Sequence, residues 1–317
     1  MGRGRRQGLM QASVLAPVLV AVLAGCGDRT APVREDPAAP PPPPPSPAAS
    51  PTAMLPASGP VRAVGTVLDD GDGPELCLGG VAQSLPPQCS GPSVAGWEWD
   101  AHPDHESVAG VQWGEYTMTG AWDGTSFTPG DVRASEPGDL PAEDLSELFA
   151  APCAEPDGGW QALDPATTSV AALSAARRVA DELPDEVLTW TDRSPNPAWR
   201  AYVDGDSGED VLRRLEDPDL MVLVVTVTDD PARAEAALRE VWGGALCVAR
   251  VANSAARLRQ VQRDLLDLPG FLTSGAGSTS NTLELTVVLD DGSIQAWADE
   301  EYGAGVVTVS SALTPAG

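Results

Sequence analysis

Residues 221–251 read MVLVVTVTDDPARAEAALREVWGGALCVARV, and residues 283–310 read LELTVVLDDGSIQAWADEEYGAGVVTVS. Each stretch runs from an apolar strand pattern through an aspartate pair and a helical segment to an aromatic residue, a glycine and a second strand. The pairs Trp242-Gly243 and Tyr302-Gly303 lie 60 residues apart. Two βαβ units predict an α+β sandwich, for which a ferredoxin-like arrangement is the natural candidate. Identity between the copies is low, so the shared order can also arise without duplication.

Further elements extend this α+β domain over residues 161–317. The hydrophobic period predicts helices over residues 165–183 and 254–268, and Val187–Trp190 reads as a strand. Residues 136–160 are rich in Pro, Asp, Glu and Gly and are interpreted as a connector.

Residues 61–135 have the composition of a small all-β domain. The predicted strands are Val61–Leu68, Glu75–Leu78, Val94–Trp99, Gly114–Trp122 and Ser126–Val132. Asp123-Gly124 is a hairpin signal, because a tight turn needs a positive φ that glycine adopts without strain. Five short strands predict a small β-barrel, with an OB-like barrel as the candidate.

The charge of the chain excludes several classes of function. The net charge is −27, from 46 acidic and 19 basic residues, and every basic residue is arginine. Without lysine there is no Walker A loop, Schiff-base nucleophile or pyridoxal phosphate attachment. The acidic balance repels phosphate backbones, so we expect no nucleic-acid partner. We predict no cofactor, no metal and no catalytic residues, since none of the usual motifs occurs.

The start of the chain has the order of an export signal. Basic residues within 3–6 precede an apolar run over residues 9–24, which ends in Leu23, Ala24, Gly25 and Cys26. The alternatives are a transmembrane helix and an ordinary secretory signal, but the run is shorter than the ~20 residues that span a membrane. Leu23, Ala24 and Gly25 resemble the peptidase recognition site of a bacterial lipobox, which implies cleavage after residue 25 and a diacylglyceryl group on Cys26. Two acyl chains anchor a protein stably.

A proline-rich, disordered linker is predicted over residues 26–60, beginning at the predicted lipid site Cys26. Residues 31–60 contain 12 prolines, including the run Pro40–Pro45. Such a segment favours extended polyproline II, which reaches about 90 Å over this length. We interpret it as a spacer between membrane and body, with a proline-motif ligand as the alternative.

The remaining four cysteines are an even number in a protein predicted to be exported, where disulfides are permitted. Three pairings are open. We favour Cys77 with Cys89 and Cys153 with Cys247, because each pair then stays within one predicted unit. Four free thiols are the alternative.

Three further patterns were weighed for ligand binding. Trp97, Trp99, Trp113 and Trp122 can form a sugar-stacking platform or fill the core of a small barrel, and core filling is favoured. Residues 100–106 hold both histidines among carboxylates, but Pro103 prevents a helical ligand spacing, so a hydrophilic loop is favoured over a metal site. The loops 69–73 and 204–210 lack the ligand pattern of an EF-hand and are interpreted as turns.

Several stretches resemble an uncharacterised lipoprotein family of high-GC Gram-positive bacteria. They are GTVLDDGDGPELCLGG (65–80), SLPPQCSGP (84–92), GWEW (96–99), REVWGGALCVAR (239–250) and SIQAWADEEYGAGVV (293–307). The resemblance implies export, lipid anchoring and a two-part extracytoplasmic body, and it brings no activity.

These patterns together predict a non-enzymatic binding or scaffolding module on the outer face of the cytoplasmic membrane. Its partners would be the membrane, through the diacylglyceryl anchor, and a cell-envelope glycan or protein. The alternatives are a carboxylate-based hydrolase of cell-wall glycans, which needs two facing acids, and a divalent-cation binder that uses the acidic turns.

Overall fold

The structure, a computed structural model, describes residues 50–140, 149–277 and 279–316. This part of the chain has an α+β fold with thirteen β-strands and six α-helices. The predicted signal peptide (1–25), with Leu23, Ala24 and Gly25, the lipid site Cys26 and most of the proline-rich linker lie outside the described residues.

The strands are β1 (Val61–Asp69), β2 (Glu75–Cys77), β3 (Ser93–Val94), β4 (Glu106–Val108), β5 (Val111–Trp122), β6 (Ser126–Ala134), β7 (Glu186–Asp192), β8 (Val222–Val227), β9 (Ala245–Arg250), β10 (Phe271–Ala276), β11 (Leu283–Val287), β12 (Val307–Ser311) and β13 (Thr314–Pro315). The helices are α1 (Val170–Asp181), α2 (Trp199–Val203), α3 (Glu209–Leu215), α4 (Pro231–Arg239), α5 (Ala255–Leu265) and α6 (Ser293–Tyr302).

Five strands form a closed mixed barrel. Their order is β1-β2-β3-β6-β5, and every residue of β1 pairs with β5 to close the ring. All pairs are antiparallel except β3–β6, which is parallel. The small barrel predicted from residues 61–135 is therefore present, and β4 and β13 extend its sheet.

One predicted barrel strand is wrong. The sequence predicted a strand over Val94–Trp99, whereas β3 ends at Val94 and a 3-10 turn forms at Trp99–Ala101. Gly96 has a φ of +71°, a left-handed conformation that interrupts an extended chain. The turn places Trp97 in the barrel core, with 8% of its surface exposed.

The barrel core depends on close packing and on residues from distant parts of the chain. At Gly120 a Cβ atom would lie 2.3 Å from the carbonyl oxygen of Thr128 on β6, so only glycine fits at this irregularity in the β5–β6 register. Val288 and Leu313, from residues predicted to belong to the second domain, are buried in the same core. β13 also pairs with Val61 at the start of β1.

Both βαβ copies form, each in its own three-stranded sheet. In β7-β8-β9 and in β10-β11-β12 the first pair is antiparallel and the second pair is parallel. The aspartates at the turns cap the crossover helices: Asp230 accepts from the backbone N–H of Arg233, and Asp290 accepts from those of Gly292 and Ile294. This is the capping chemistry expected of acidic residues at a helix start.

The two copies differ between their antiparallel strands. In the first copy the chain inserts α2 and α3 after Asp192, before β8 begins at Val222. In the second copy β10 ends at Ala276 and β11 already begins at Leu283. Neither the two short helices nor β10 was expected from the sequence.

Gln295 of α6 forms hydrogen bonds with backbone groups of β12, which lies at the edge of its sheet. Its Oε1 accepts from the backbone N–H of Val309 at 2.8 Å, and its Nε2 donates to the carbonyl of Val307 at 3.0 Å. The side chain thus occupies the place of a neighbouring strand beside β12, which protects an edge from pairing with other chains.

The last residues of the predicted linker lie against the barrel. The Trp122 indole N–H donates to the carbonyl of Leu55 at 3.0 Å, and the N–H of Ala57 donates to the carbonyl of Trp122 at 3.0 Å. Among the described residues, no helix combines the length and the apolar composition that crossing a membrane requires.

Candidate functional site

Two disulfides join the pairs that the sequence favoured. Cys77 and Cys89 have Cα atoms 5.9 Å apart, and those of Cys153 and Cys247 are 5.7 Å apart. The first bridge lies within the barrel segment, and the second ties residues 149–160 to β9.

Trp97 and Trp122 lie in the barrel core with Trp99 packed against it, whereas Trp113 lies in a separate cluster with Leu68 and Cys77. Trp113 and Trp122 are buried like Trp97, and Trp99 is half-buried. The Trp97 ring stacks on the imidazole of His102 with centroids 4.0 Å apart. Burial, and after it the nearby His105, lowers the pKa of His102. The cluster therefore offers no open aromatic platform.

The histidines and the acidic loops make contacts within the protein. His105 Nδ1 lies 2.7 Å from the carbonyl oxygen of His102. Asp69 accepts from the N–H groups of Gly71 and Gly73, and Asp206 accepts from that of Gly208, which is the Asx-turn chemistry of a tight loop. In the described ranges, no group of three or more His, Cys, Asp or Glu side chains is placed to hold a metal ion.

A cavity of about 470 Å³ lies where the helical insertion meets the end of β7. Its volume falls in the range of small-molecule sites. The lining residues are Phe149, Arg177, Trp190, Thr191, Asp192, Arg193, Trp199, Tyr202, Leu212, Leu215 and Glu216. We call it the insertion pocket after the inserted helices α2 and α3, which have no counterpart in the second βαβ copy.

Asp192 fastens two walls of the insertion pocket. It is 3% exposed, its Oδ2 accepts from the N–H of Ala151 at 2.8 Å, and its Oδ1 accepts from the N–H of Ser194 at 2.8 Å. A buried carboxylate requires such partners. The carboxylate therefore ties the 149–160 segment to the end of β7 and turns the chain into the insertion.

Arg193 and Asn196 hold the end of α3. Asn196 Nδ2 donates to the carbonyl of Arg214 at 2.7 Å, and Arg193 Nε donates to that of Leu215 at 3.2 Å. The last carbonyls of a helix lack partners within the helix. These side chains supply them, so the two short helices keep a fixed position beside β7.

The walls of the pocket are aromatic. Trp190 packs under the 149–160 segment, and its indole N–H donates to the carbonyl of Phe149 at 2.9 Å. Trp199 and Tyr202 lie with ring centroids 5.8 Å apart on α2. The Nε1 atom of Trp199 is buried and has no hydrogen-bond partner among the residues that the structure describes. An orphan donor of this kind is costly and calls for an explanation.

The charges around the pocket differ from those of the chain as a whole. Arg177 on α1 and Arg193 both line it, although the chain has a net charge of −27. Among the described residues two carboxylates line it: Asp192 is engaged by backbone N–H groups, and Glu216 pairs with Arg193 at 3.0 Å and is largely exposed. Arg193 keeps further N–H donors beyond its bonds to Leu215 and Glu216.

The sequence did not indicate this pocket, because its residues come from five separate segments. The one available signal was a group of large apolar side chains, Trp199, Tyr202 and Leu212, in a Pro-, Asp- and Gly-rich stretch with no assigned element. Apolar side chains left exposed in such a stretch point to a binding surface.

A second concavity of about 500 Å³ lies on the barrel. Trp113, Asp104, Glu106 and Glu115 line it, and the three carboxylates are exposed. We call it the acidic groove.

Comparisons of the chain with protein families, with curated proteins and with solved structures gave no match.

Proposed function

We propose that this protein is a lipid-anchored, extracytoplasmic binding module without enzymatic activity, which presents the insertion pocket to a ligand of the cell envelope. Cys26 would carry a diacylglyceryl group and hold the protein at the outer face of the cytoplasmic membrane. The proline-rich residues would act as the spacer, and the two disulfides suit an oxidising compartment.

The observation that carries the binding role is the aromatic cavity of about 470 Å³, which has Trp190, Trp199 and Tyr202 in its walls. Ligand sites are concave, are lined mainly by apolar and aromatic groups and contain a few polar groups that orient the ligand. The insertion pocket fits this description. Its carboxylates are already engaged, which favours binding over acid–base chemistry.

The finer fold assignments belong to the same proposal. An OB-like barrel is supported by five strands that close with β3 beside β6, a crossing of the Greek-key kind. A ferredoxin-like relationship is supported by the two βαβ units alone, since each unit lies in its own three-stranded sheet.

The anchoring part is tested by mass spectrometry of the native N-terminus and by membrane fractionation. We expect the chain to begin at a lipid-modified Cys26 and to sediment with membranes. Cys26→Ser should leave the full precursor unprocessed and without lipid, while Cys89→Ala, matched in residue type, should keep the lipid. A native chain that begins at Met1, or a bare Cys26 thiol, would contradict the proposal.

The second candidate is a carboxylate-based hydrolase of cell-wall glycans, and the acidic groove favours it because a tryptophan and three acids line one concavity. Such an enzyme needs one acid and one base across the scissile bond. Turnover of a wall polymer that Glu106→Gln or Glu115→Gln abolishes, and that Glu136→Gln outside the groove leaves intact, would establish it in place of the binding role.

A further inference from the structure

We propose that the loop between Cys77 and Cys89 inhibits a serine endopeptidase by binding in its substrate cleft, with Gln83 as the residue before the scissile bond. The loop joins β2 to β3 of the barrel, and a disulfide connects its two ends. We call residues 78–88 the bridged loop. The inference goes beyond the proposed function, because the bridged loop contributes no residue to the insertion pocket.

Hydrogen bonds within the bridged loop brace it. The N–H of Ala82 donates to the carbonyl of Gln88 at 2.8 Å, and the two residues form an antiparallel bridge. The N–H of Ser84 donates to the carbonyl of Ala82 at 2.8 Å, and its hydroxyl donates to the carbonyl of Pro86 at 2.8 Å. The rings of Pro86 and Pro87 fix two φ angles. The loop therefore has little conformational entropy left to lose when it binds a partner.

The bridged loop keeps one backbone edge open. All the hydrogen bonds that brace it come from even-numbered residues. In the described part of the chain, the N–H and carbonyl groups of Val81, Gln83 and Leu85 bond to no other group. Alternation of this kind is that of a strand with one edge satisfied and the other edge free to pair. A partner that adds its own backbone to this edge gains main-chain hydrogen bonds and can take alternate side chains into pockets.

The bond between Gln83 and Ser84 is the one that a peptidase would attack. The hydrogen bond from the Ser84 N–H to the Ala82 carbonyl is that of a γ-turn centred on Gln83. Gln83 and Ser84 are both exposed. The bond after Leu85 is a poor substrate, because its nitrogen belongs to the Pro86 ring, which crowds the cleavage site. Gln83 therefore takes the position before the scissile bond.

The surface of the bridged loop is uncharged and partly apolar. Residues 77–97 contain no charged side chain, although 21% of the residues in the chain are charged. Leu85 is 75% exposed and Val81 is 36% exposed. Exposed apolar groups in a chain of this charge indicate a contact surface for a partner. A membrane is disfavoured as that partner, because Val81 also lines the acidic groove, which anionic lipid repels.

The short open edge selects an enzyme cleft over other protein partners. Pairing with the edge of another sheet favours a long, flat strand. Here the open edge ends at Pro86, which has no N–H, and a γ-turn interrupts it at Gln83. An endopeptidase instead holds a few residues on each side of one bond in a concave cleft. The bridged loop matches that requirement in length and in curvature.

The crosslinked ends favour inhibition of a serine enzyme over cleavage. The enzyme's serine hydroxyl would attack the carbonyl carbon of Gln83, forming an ester, and its proton would pass through the enzyme's base to the Ser84 nitrogen as the peptide bond breaks. The bridge between Ala82 and Gln88 and the disulfide hold the new amine beside the ester. The amine can therefore attack the ester, restore the peptide bond and return the proton to the serine oxygen. The loop thus occupies the cleft without being released as products.

The test gives the bridged loop a side chain that one protease requires. Trypsin selects arginine or lysine before the scissile bond through an aspartate in its specificity pocket, and residues 77–97 contain neither. Purified full-length protein is titrated into trypsin, and hydrolysis of a small chromogenic substrate is measured. We expect Gln83→Arg to inhibit trypsin at least about hundredfold more tightly than the wild type does, because a buried charge pair is gained.

Gln88→Arg is the matched control. It places an arginine at another exposed glutamine of the same loop, at a residue whose carbonyl faces the bridge. It should inhibit trypsin no better than the wild type. All 19 arginines of the natural chain lie outside residues 77–97, so their cleavage is common to the three proteins and cancels in the comparison.

The crosslink is tested in the same assay. Adding Cys77→Ala/Cys89→Ala to Gln83→Arg should turn the loop into a substrate, which mass spectrometry detects as cleavage after position 83 with loss of inhibition. Adding Cys153→Ala/Cys247→Ala, which removes the other disulfide, should keep the inhibition. The wild type should inhibit subtilisin, whose cleft accepts uncharged side chains.

Equal inhibition of trypsin by Gln83→Arg and Gln88→Arg would overturn the inference. So would turnover of the disulfide-intact Gln83→Arg variant as an ordinary substrate. Binding of the wild type to phosphatidylglycerol vesicles without inhibition of subtilisin would overturn it in favour of a membrane contact. These assays involve neither the lipid anchor nor the insertion pocket, so their failure is distinguishable from failure of the proposed function.

Discussion

The two disulfides should contribute unequally to stability. A crosslink lowers the conformational entropy of the unfolded chain, by an amount that grows with the logarithm of the loop that it closes. Cys153–Cys247 closes a loop of 94 residues and Cys77–Cys89 a loop of 12. The chain-entropy relation gives about 4.7 kcal/mol for the long loop and about 2.8 kcal/mol for the short one.

Two double variants measure this difference. Each replaces one pair by alanine in the full chain, and each pair contains one buried cysteine, Cys247 at 1% exposure and Cys77 at 3%, so the packing losses are matched. We expect urea unfolding to show that the Cys153→Ala/Cys247→Ala variant loses roughly 2 kcal/mol more than the Cys77→Ala/Cys89→Ala variant.

The long-loop variant should also loosen one wall of the insertion pocket. Ala151 donates to Asp192 from the segment that contains Cys153, so its amide should exchange with deuterium faster in this variant and not in the other. An equal loss of stability in the two variants, or a larger loss for Cys77–Cys89, would refute the reasoning.

Three other predictions concern single residues. Because burial lowers the pKa of His102, its NMR titration should have a midpoint below 6.5. The free energy of unfolding should decrease as the pH drops through 6.5, because the His102 side chain is protonated first in the unfolded chain. A midpoint at or above 6.5 would contradict this. Gly120→Ala should destabilise the barrel by about 1–3 kcal/mol in urea unfolding, because a Cβ atom there would meet backbone atoms. Gly59→Ala, with open space around it, should be nearly neutral. Similar losses of stability in the two variants would contradict the steric explanation. Gln295→Ala should cost about 1–2 kcal/mol, because two hydrogen bonds to the edge of β12 are lost, while the exposed Glu300→Ala on the same helix should change stability little in the same assay.

The sequence predicted the long, well-buried elements and missed elements that are short or only partly covered. MVLVVTVT is apolar apart from Thr226 and Thr228 and rich in β-branched residues, which favours a strand, and β8 within it is wholly buried. β10 reads FLTSGA and is only partly covered, so its pattern carries no clear alternation. The helices α2 and α3 span five and seven residues, too short to display a helical period.

The candidate site was harder to predict than the fold. Catalytic and metal motifs concentrate their residues within a short spacing, whereas Phe149, Arg177, Trp190 and Trp199 meet only after the first βαβ copy has folded. A single sequence carries no signal that such distant positions are in contact. The Cys153–Cys247 pair could be favoured in advance, because predicted export and an even cysteine count left three pairings, of which this one keeps each bridge within one predicted unit.

The pairing of β13 with β1 has a consequence for folding during synthesis. Leu313 is fully buried in the barrel core, and the N–H of Ala316 donates to the carbonyl of Pro60. A chain that is synthesised from its N-terminus delivers β1 long before its partners at residues 313–316 arrive. The barrel therefore cannot close until these C-terminal residues are present, and a chain cleaved near residue 310 would expose an incomplete barrel to proteases.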